Sequence, residues 1–443
     1  MNDVLNDAIT DIVSRRVKIL DEVNHTFALS KEQLREYQLH KVKETLLHVY
    51  QNNEFYKGKL TESNISWNDI KALSEFSALP FTIKEEIKSQ YPFGLLSASH
   101  DEIVRYGEST GTTGDPINSY YTGDDWFANN CIVATLLSNL ITNQDTVAVI
   151  VPYGLALVGQ DIDRALELIG AKTIAIGMLS SACPVERSIK ILKDTETTTL
   201  VCSPSRALYI SEEAMKLGYD LKNDFKIKKI LCVGEGTSIE KAKAIKEAWG
   251  ADAYPLYGMT ETNTIAMSCQ FGKMHIVENK LDCEIIDAST GEVLGDDVRG
   301  ELVVTSFGKA MPLIRYRTGD LCTIHSQSCA CGSTFRFLEH HGRITDSIVM
   351  GDRRIQLLDL EAIILSASGT KFFTLKIKGD ELIVGLVLSK EECQRVERDV
   401  MERLKIEFNI ISSVVPVDGE QLIHAIKNKV KPSISSILQD GEK

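Results

Sequence analysis

No apolar run in this 443-residue chain approaches the roughly 20 residues that a membrane-spanning helix needs. The N-terminal stretch MNDVLNDAITDIVSRRVKIL is polar and helix-patterned, without the apolar segment of a secretory signal. Basic charge is scarce: 49 Lys and Arg against 62 Asp and Glu leave a formal charge of -13. Nonspecific binding to nucleic acid or to an anionic membrane needs a basic surface and is therefore not expected. A nucleotide site needs only local positive charge and stays open. The ten cysteines are scattered and form no dense disulfide framework. In a cytoplasmic protein, the localisation expected here, most should be reduced and buried. There is no internal repeat and no low-complexity segment. The rest of the composition is ordinary for a globular chain, with 43% hydrophobic and 25% charged residues. The length suffices for two or three domains and a substantial core.

A further absence is a lysine. RYGESTGTTGDPIN, residues 105–118, gathers glycine and hydroxyl side chains into a loop suited to an anion. The Walker pattern GxxxxGK[ST] is not met, because Asp115 and Pro116 follow Gly114. Two readings stand side by side: backbone N–H groups and the hydroxyls of Ser109, Thr110, Thr112 and Thr113 wrapping an anion, or a Gly/Thr-rich surface turn.

Residues 1 to 60 read as helix. From 145 onwards strand and helix patterns alternate for about 110 residues, the mark of a parallel sheet with helical crossovers. The helix TSIEKAKAIKEAWG is expected to start with a capping box from Thr237 to Glu240 and to end at Gly250. Ligands of such sheets sit at the carboxyl ends of the strands, so VPYG, CSPS, VGEG and YPLYGMTE should share one crevice. After 280 the chain is strand-rich. HHGRITDSIVMGDRRI is polar and glycine-punctuated and reads as a linker. The last hundred residues read as a small α+β unit, with a hairpin turning at Gly379-Asp380 and a helix KEECQRVERDVMERLKIEF. The expected fold is α/β: a large domain, residues 1–342, with parallel sheets, helical crossovers and a β-rich subdomain, then a small mobile α+β domain, 343–443.

Three further segments carry chemistry. In YPLYGMTETN, Thr260 could bond a phosphate oxygen and Glu261 could hold Mg²⁺; the plain alternative is a helix start with an N-terminal acid. In IRYRTGDL, Asp320 follows a strand and a Thr-Gly turn and could take ribose hydroxyls, or it could belong to a simple Gly-Asp turn. HHGRITD supplies Arg343 and Asp346.

The order STGTTGDP, VGEG, YGMTE, YRTGD, GRITD resembles the adenylate-forming superfamily of acyl-CoA synthetases and adenylation domains over roughly residues 40–435. Within it, TSFGKAMPLIRYRTGD, CSPS and CACG resemble the phenylacetate-CoA ligase branch. The resemblance implies ATP-dependent activation of a carboxylic acid as acyl-AMP, followed by transfer to the thiol of coenzyme A or of a carrier protein. A carboxylate oxygen cannot leave at neutral pH, so adenylation supplies a leaving group. The task of the site is then to stabilise charge on the α-phosphate.

The resemblance also implies roles. Ser109, Thr110, Gly111, Thr112, Thr113 and Gly114 would lie on the β- and γ-phosphates, and Gly234, Glu235 and Gly236 along the adenine. Tyr257, followed by Gly258, would stack on adenine, Thr260 would touch the α-phosphate, Glu261 would bind Mg²⁺ and Asp320 the ribose. Arg343 would enter from the hinge, Asp346 would be the pivot, and Lys429, with Lys427 second, would be the mobile catalytic cation. Tyr153, Gly154 and Arg206 would line the acid pocket. Cys269, His275, Cys329 and Cys331 would form a structural Zn²⁺ set, against a local alternative using Cys322 and His325 and against no metal at all. A homodimer is also implied.

The chain departs from the branch at Asp115, where lysine is frequent. YGLALVGQDIDRALE offers Gln160, Asp161, Asp163 and Arg164 in place of a glycine pair and a histidine, and Arg206 replaces an aromatic residue. These polar groups either face solvent on a helix or enter the pocket, in which case the acid is a functionalised one.

Overall fold

The computed structural model describes residues 2–109 and 116–419. Three helices open the chain: α1 (Asn2–Thr26), α2 (Lys31–Asn52) and α3 (Glu54–Glu62), followed by the short α4 (Lys84–Ser89). A hairpin, β1 (Ile103–Glu108) and β2 (Asn118–Thr122), leads into α5 (Gly123–Leu137). The alternating region then runs β3 (Thr146–Val149), α6 (Val158–Ile169), β4 (Lys172–Ala175), α7 (Val185–Asp194), β5 (Thr199–Cys202), α8 (Pro204–Lys216), α9 (Leu221–Asp224), β6 (Lys229–Val233), α10 (Ile239–Trp249) and β7 (Asp252–Met259). Strands follow: β8 (Asn263–Ser268), β9 (Met274–Ile276), β10 (Leu281–Ile286), β11 (Val293–Leu294), β12 (Arg299–Ser306), β13 (Tyr316–His325) and β14 (Phe337–Arg343). The chain continues as β15 (Ser347–Met350), β16 (Arg353–Gln356), α11 (Leu357–Ser368), β17 (Phe373–Lys378), β18 (Glu381–Leu386), α12 (Lys390–Phe408) and β19 (Ile411–Pro416).

Strands β3 to β14 build one 12-stranded sheet in the order β11-β10-β12-β13-β14-β9-β8-β7-β6-β5-β3-β4. The run β7-β6-β5-β3-β4 is parallel, as the strand-helix alternation requires. The β-rich region is the antiparallel continuation of that sheet through the β7-β8 pair. Strand alternation sends Val147, Val149, Val201 and Leu231 into a core with α5 and α6, and Ala148, Ile150, Leu200 and Ile230 into a core with α7, α8 and α10. Both faces are covered, which is why these strands read as continuous apolar runs.

Local chemistry sets the ends of the crossover helices. α10 stops at Gly250, whose φ of 68° suits a residue without Cβ. Its start differs from the expected capping box: Ser238 is the N-cap and accepts from Lys241 N at 3.2 Å. Thr237 lies outside the helix.

The expected linker near 340 is regular structure. HHGR completes β14, which pairs with β13, and DRRI enters the β15-β16 hairpin. Beyond it, β17, β18 and β19 form a three-stranded sheet that packs with α11 and α12 around Leu360, Ile364, Leu382, Val384, Val400 and Leu404. The β17-β18 turn lies at Gly379-Asp380 and α12 spans the expected segment. This α+β unit rests on α10: Glu361 of α11, fully buried, pairs with Lys241, whose Nζ lies 2.5 Å from Oε2, and accepts at Oε1 from Ser238 Oγ at 2.7 Å.

Candidate active site

The carboxyl ends of the parallel strands meet at a cavity of about 200 Å³. Ser109, Pro152, Ser203, Arg206, Gly234, Tyr257, Gly258, Thr260, Glu261 and Arg343 all line it. The loops after β3, β5, β6 and β7 therefore converge in one crevice, with the β2 hairpin opposite. Ser109 closes the base of its loop through Ser109 N to Ile117 O at 2.7 Å and Ile117 N to Ser109 Oγ at 2.8 Å. Thr110, Gly111, Thr112, Thr113, Gly114 and Lys429 lie outside the described residues, as do Asp115 and Lys427.

Two of the sequence motifs sit differently from their expected local structure. Tyr257 and Gly258 lie within β7, and Thr260 to Thr262 form the tight connection to β8 rather than a helix start. Gly258 faces a carbonyl: a Cβ there would stand 2.6 Å from Asn263 O. Asp320 lies inside β13, not beyond a strand, and Gly319 contributes the positive φ that bends the strand there.

Asp320 organises the site. It is 2% exposed and its Oδ2 accepts from Tyr257 Oη at 2.6 Å. Its Oδ1 lies 3.3 Å from Arg343 Nε but makes no hydrogen bond of good geometry. Burial pushes the Asp320 carboxyl up, and His340, Arg343 and Tyr257 together outweigh that and hold it below its ordinary value. Asp320 is therefore an anion at neutral pH. The Tyr257 ring packs on His340 with centroids 4.9 Å apart. Glu261 accepts from Tyr316 Oη at 3.0 Å through Oε1, which orients the carboxylate while Oε2 stays available to a cation. Neither His340 nor Tyr316 was given a role from the sequence, although both stand inside motifs that were, HHGRITD and YRTGD.

Five predicted positions take other contacts. Tyr153 and Gly154 are not among the residues lining the cavity: Tyr153 Oη reaches Asp163 at 3.4 Å, and Gln160 holds both backbone carbonyls. The wall there is Pro152, Ala156 and Leu157. Gly236 faces Leu358, which lies 2.6 Å from the place a Cβ would take. Glu235 Oε2 accepts from Ser205 Oγ at 2.7 Å, whereas its buried Oε1 has no donor among the described residues. Asp346 N bonds Arg343 O at 2.9 Å, and Leu357 N bonds Asp346 O at 3.0 Å, tying β14 to α11.

The polar segment of α6 divides. Arg164 is exposed and pairs with Glu167. Asp161 is 2% exposed and lines the cavity. Asn129 and Asn130 each donate to its Oδ1 at 2.5 Å, and Asn129 Oδ1 accepts from the half-buried Lys280 at 2.5 Å. Burial pushes Asp161 up to about 6 and Lys280 down to about 8, so both stay charged at pH 7. The sequence did carry a signal for Asp161, which stands four residues from both Leu157 and Ala165 on the buried stripe. Lys280 had none. Arg206, also buried, donates to Ile150 O at 3.3 Å.

Away from this cavity, Cys269, His275, Cys329 and Cys331 bring one ligand atom each within 4.8 Å of one another. Cys269 and Cys329 sulfurs are 3.8 Å apart, too far for a disulfide of about 2.05 Å. That spacing is the edge of a tetrahedron with metal–sulfur bonds of about 2.3 Å. His275 Nδ1 is engaged by Phe335 O at 2.8 Å, leaving Nε2 towards Cys331 at 3.2 Å. Such an outer hydrogen bond fixes the tautomer of a ligating histidine. The alternative partner His325 pairs with Asp297 instead.

Comparison with known proteins agrees with this geometry. A family model described as AMP-binding enzyme matches residues 99–311. The chain is 31% identical over 300 residues to the phenylacetate-coenzyme A ligase of Pseudomonas putida, covering 66% of this chain and 67% of that one. It is 26% identical over 414 residues to the phenylacetate-coenzyme A ligase of Thermus thermophilus, covering 92% and 90%. Its fold is similar to that of 2-hydroxyisobutyryl-CoA ligase in the postadenylation state, with a TM-score of 0.81 at 19% identity over 89% and 92% of the two chains. The chain belongs to the AMP-binding enzymes, as a phenylacetate-coenzyme A ligase-like member of that adenylate-forming family.

Proposed function

We propose that this protein is an ATP-dependent, AMP-forming acid–CoA ligase. The observation that carries the reading is the single cavity where Ser109, Gly234, Tyr257, Thr260, Glu261 and Arg343 meet beside the buried Asp320. Two buried acceptors next to cavity-lining residues, Asp320 Oδ1 and Glu235 Oε1, have no donor of good geometry among the described residues. A nucleoside supplies such donors: ribose hydroxyls for Asp320 and the adenine amine for Glu235. The Tyr257 ring and Gly234 offer the flat wall that a base requires.

In the first half-reaction, the acid's carboxylate attacks the α-phosphate of ATP and pyrophosphate leaves. Thr260 hydroxyl and the Arg343 guanidinium stabilise the charge in flight, and the Thr110 to Gly114 loop holds the departing phosphates. Lys429 adds a cation from the C-terminal unit. Glu261, with Oε2 unengaged by Tyr316, would hold Mg²⁺, which supplies charge neutralisation at the phosphates when bound. In the second half-reaction, the CoA thiolate attacks the acyl carbon and AMP leaves. We propose that residues 343–443 move as a unit between the two, pivoting at Asp346, and that Cys269, His275, Cys329 and Cys331 hold a structural Zn²⁺.

The acceptor is tested by incubating enzyme, ATP and an acid panel with CoA or with a holo-carrier protein. Acyl-CoA as the main product supports the reading. Acylation of the carrier alone would replace it with a loading enzyme. No pyrophosphate exchange with any acid would point to a non-catalytic binding homologue.

A further inference from the structure

The lining of the cavity is not uniformly apolar. Val133, Val151, Leu157 and Ile162 form its walls, and Asp161 and Asn263 break them. Asp161 Oδ1 is saturated by the two asparagine amides, whereas Oδ2 has only a long 3.4 Å contact from Thr264 Oγ1. Oδ2 of this cavity-lining carboxylate is thus weakly satisfied among the described residues. Asn263 is 9% exposed and holds its backbone at φ 60°, a costly conformation that places its side chain in this wall. Its amide lies close enough to help hold the Asp161 anion, yet its buried Nδ2 makes no hydrogen bond of good geometry among the described residues. A buried amide donor beside a weakly satisfied buried acceptor is a cost that a ligand group can remove.

We propose that these two residues select an acid bearing a hydroxyl group on the portion that enters the cavity, the hydroxyl donating to Asp161 Oδ2 and accepting from Asn263 Nδ2. A hydroxyl fits both halves of the pair because it donates and accepts at once. An ammonium cannot accept from Asn263. The Asp161 charge is moreover already balanced through Asn129 by Lys280, so a second cation would have no counter-charge. An unsubstituted acid would leave both protein groups unpaired, and sites built to bind a hydroxyl reject such analogues strongly. This inference rests on the ligase reading and names the acid's class.

The test is ATP–pyrophosphate exchange with matched acids: phenylacetate against its three ring-hydroxylated isomers, mandelate and 4-aminophenylacetate, and isobutyrate against its hydroxylated forms. In at least one pair the hydroxy acid should exceed its parent in kcat/KM by about tenfold or more. That ratio should fall towards one in Asp161→Asn and in Asn263→Gly. Glycine tolerates the backbone at 263, so this second variant stays informative if the first fails to fold. Hydroxylated acids no better than their parents in every pair, or an amino acid preferred, would overturn the inference while leaving the ligase reading intact. So would a preference unchanged in Asn263→Gly. No exchange with any acid would overturn both.

Discussion

At the scale of single residues, the least expected feature is the chain Asp161–Asn129–Lys280. A buried carboxylate and a half-buried ammonium are joined by one amide that donates to the first and accepts from the second. Removing one charge strands the other in a low-dielectric interior. Lys280→Met should therefore cost about 3 kcal/mol or more in urea unfolding. Adding Asp161→Asn should recover part of that loss; strictly additive losses would show that the two residues do not communicate. The pH dependence has a definite sign. Burial lowers Lys280 from 10.5 to about 8, so the folded chain sheds this proton before the unfolded chain does. The contribution of Lys280 to stability accordingly rises between pH 8 and 10.5. Lys280→Met should remove that rise. Asp161, raised from 3.8 to about 6, acts oppositely: its contribution falls as pH rises through that interval.

At the scale of elements, the alternating region was legible because period and capping agree there. β3, β5 and β6 are continuous apolar runs, α6 and α7 carry one apolar stripe each, and Gly250 ends α10. The segments around Asp320 and Arg343 were not, because a glycine inside a paired strand looks like a turn when the partner strand is unknown. Gly319 and Gly342 both sit in β13 and β14 with positive φ. Asp161 is a mixed case: its place on an apolar stripe pointed inward, but what holds it there was hidden until the facing helix α5 brought Asn129 and Asn130 to it. The cysteine cluster joins the end of β8 and the start of β9 to the loop before β14, elements 60 residues apart in sequence. Purified protein should carry about one zinc per chain. Cys331→Ser should lower that content and the Tm together, since metal binding is coupled to folding. Full zinc content in Cys331→Ser would remove this residue from the set.

At the scale of the molecule, the α+β unit after β16 meets the large sheet's helical layer through ion pairs and through Phe372, which joins the core beneath α8 and α10. The Lys241–Glu361 pair is among the most buried of them, at 5% and 0% side-chain exposure. Burial of the ammonium opposes its charge, and Glu361 and Glu235 outweigh that and raise Lys241 above its ordinary value. Lys241 carried a signal of its own, since Lys241, Ile245 and Trp249 share the buried face of α10. If the C-terminal unit delivers Lys429 for the first half-reaction alone, Lys429→Ala should reduce adenylate formation by about a hundredfold or more. Transfer from preformed acyl-AMP to CoA should be much less affected. Equal losses in both half-reactions would remove the assignment of Lys429 as the adenylation cation.

The central claim is that one crevice at the strand ends makes an acyl-adenylate and passes the acyl group to CoA. It is tested most directly by following the nucleotide products of a turnover with ATP, CoA and an accepted acid. The account predicts AMP and pyrophosphate in equal amounts, with one acyl-CoA formed for each AMP and none formed without the acid. ADP and phosphate in place of AMP and pyrophosphate, or acyl-CoA formed without AMP, would contradict it.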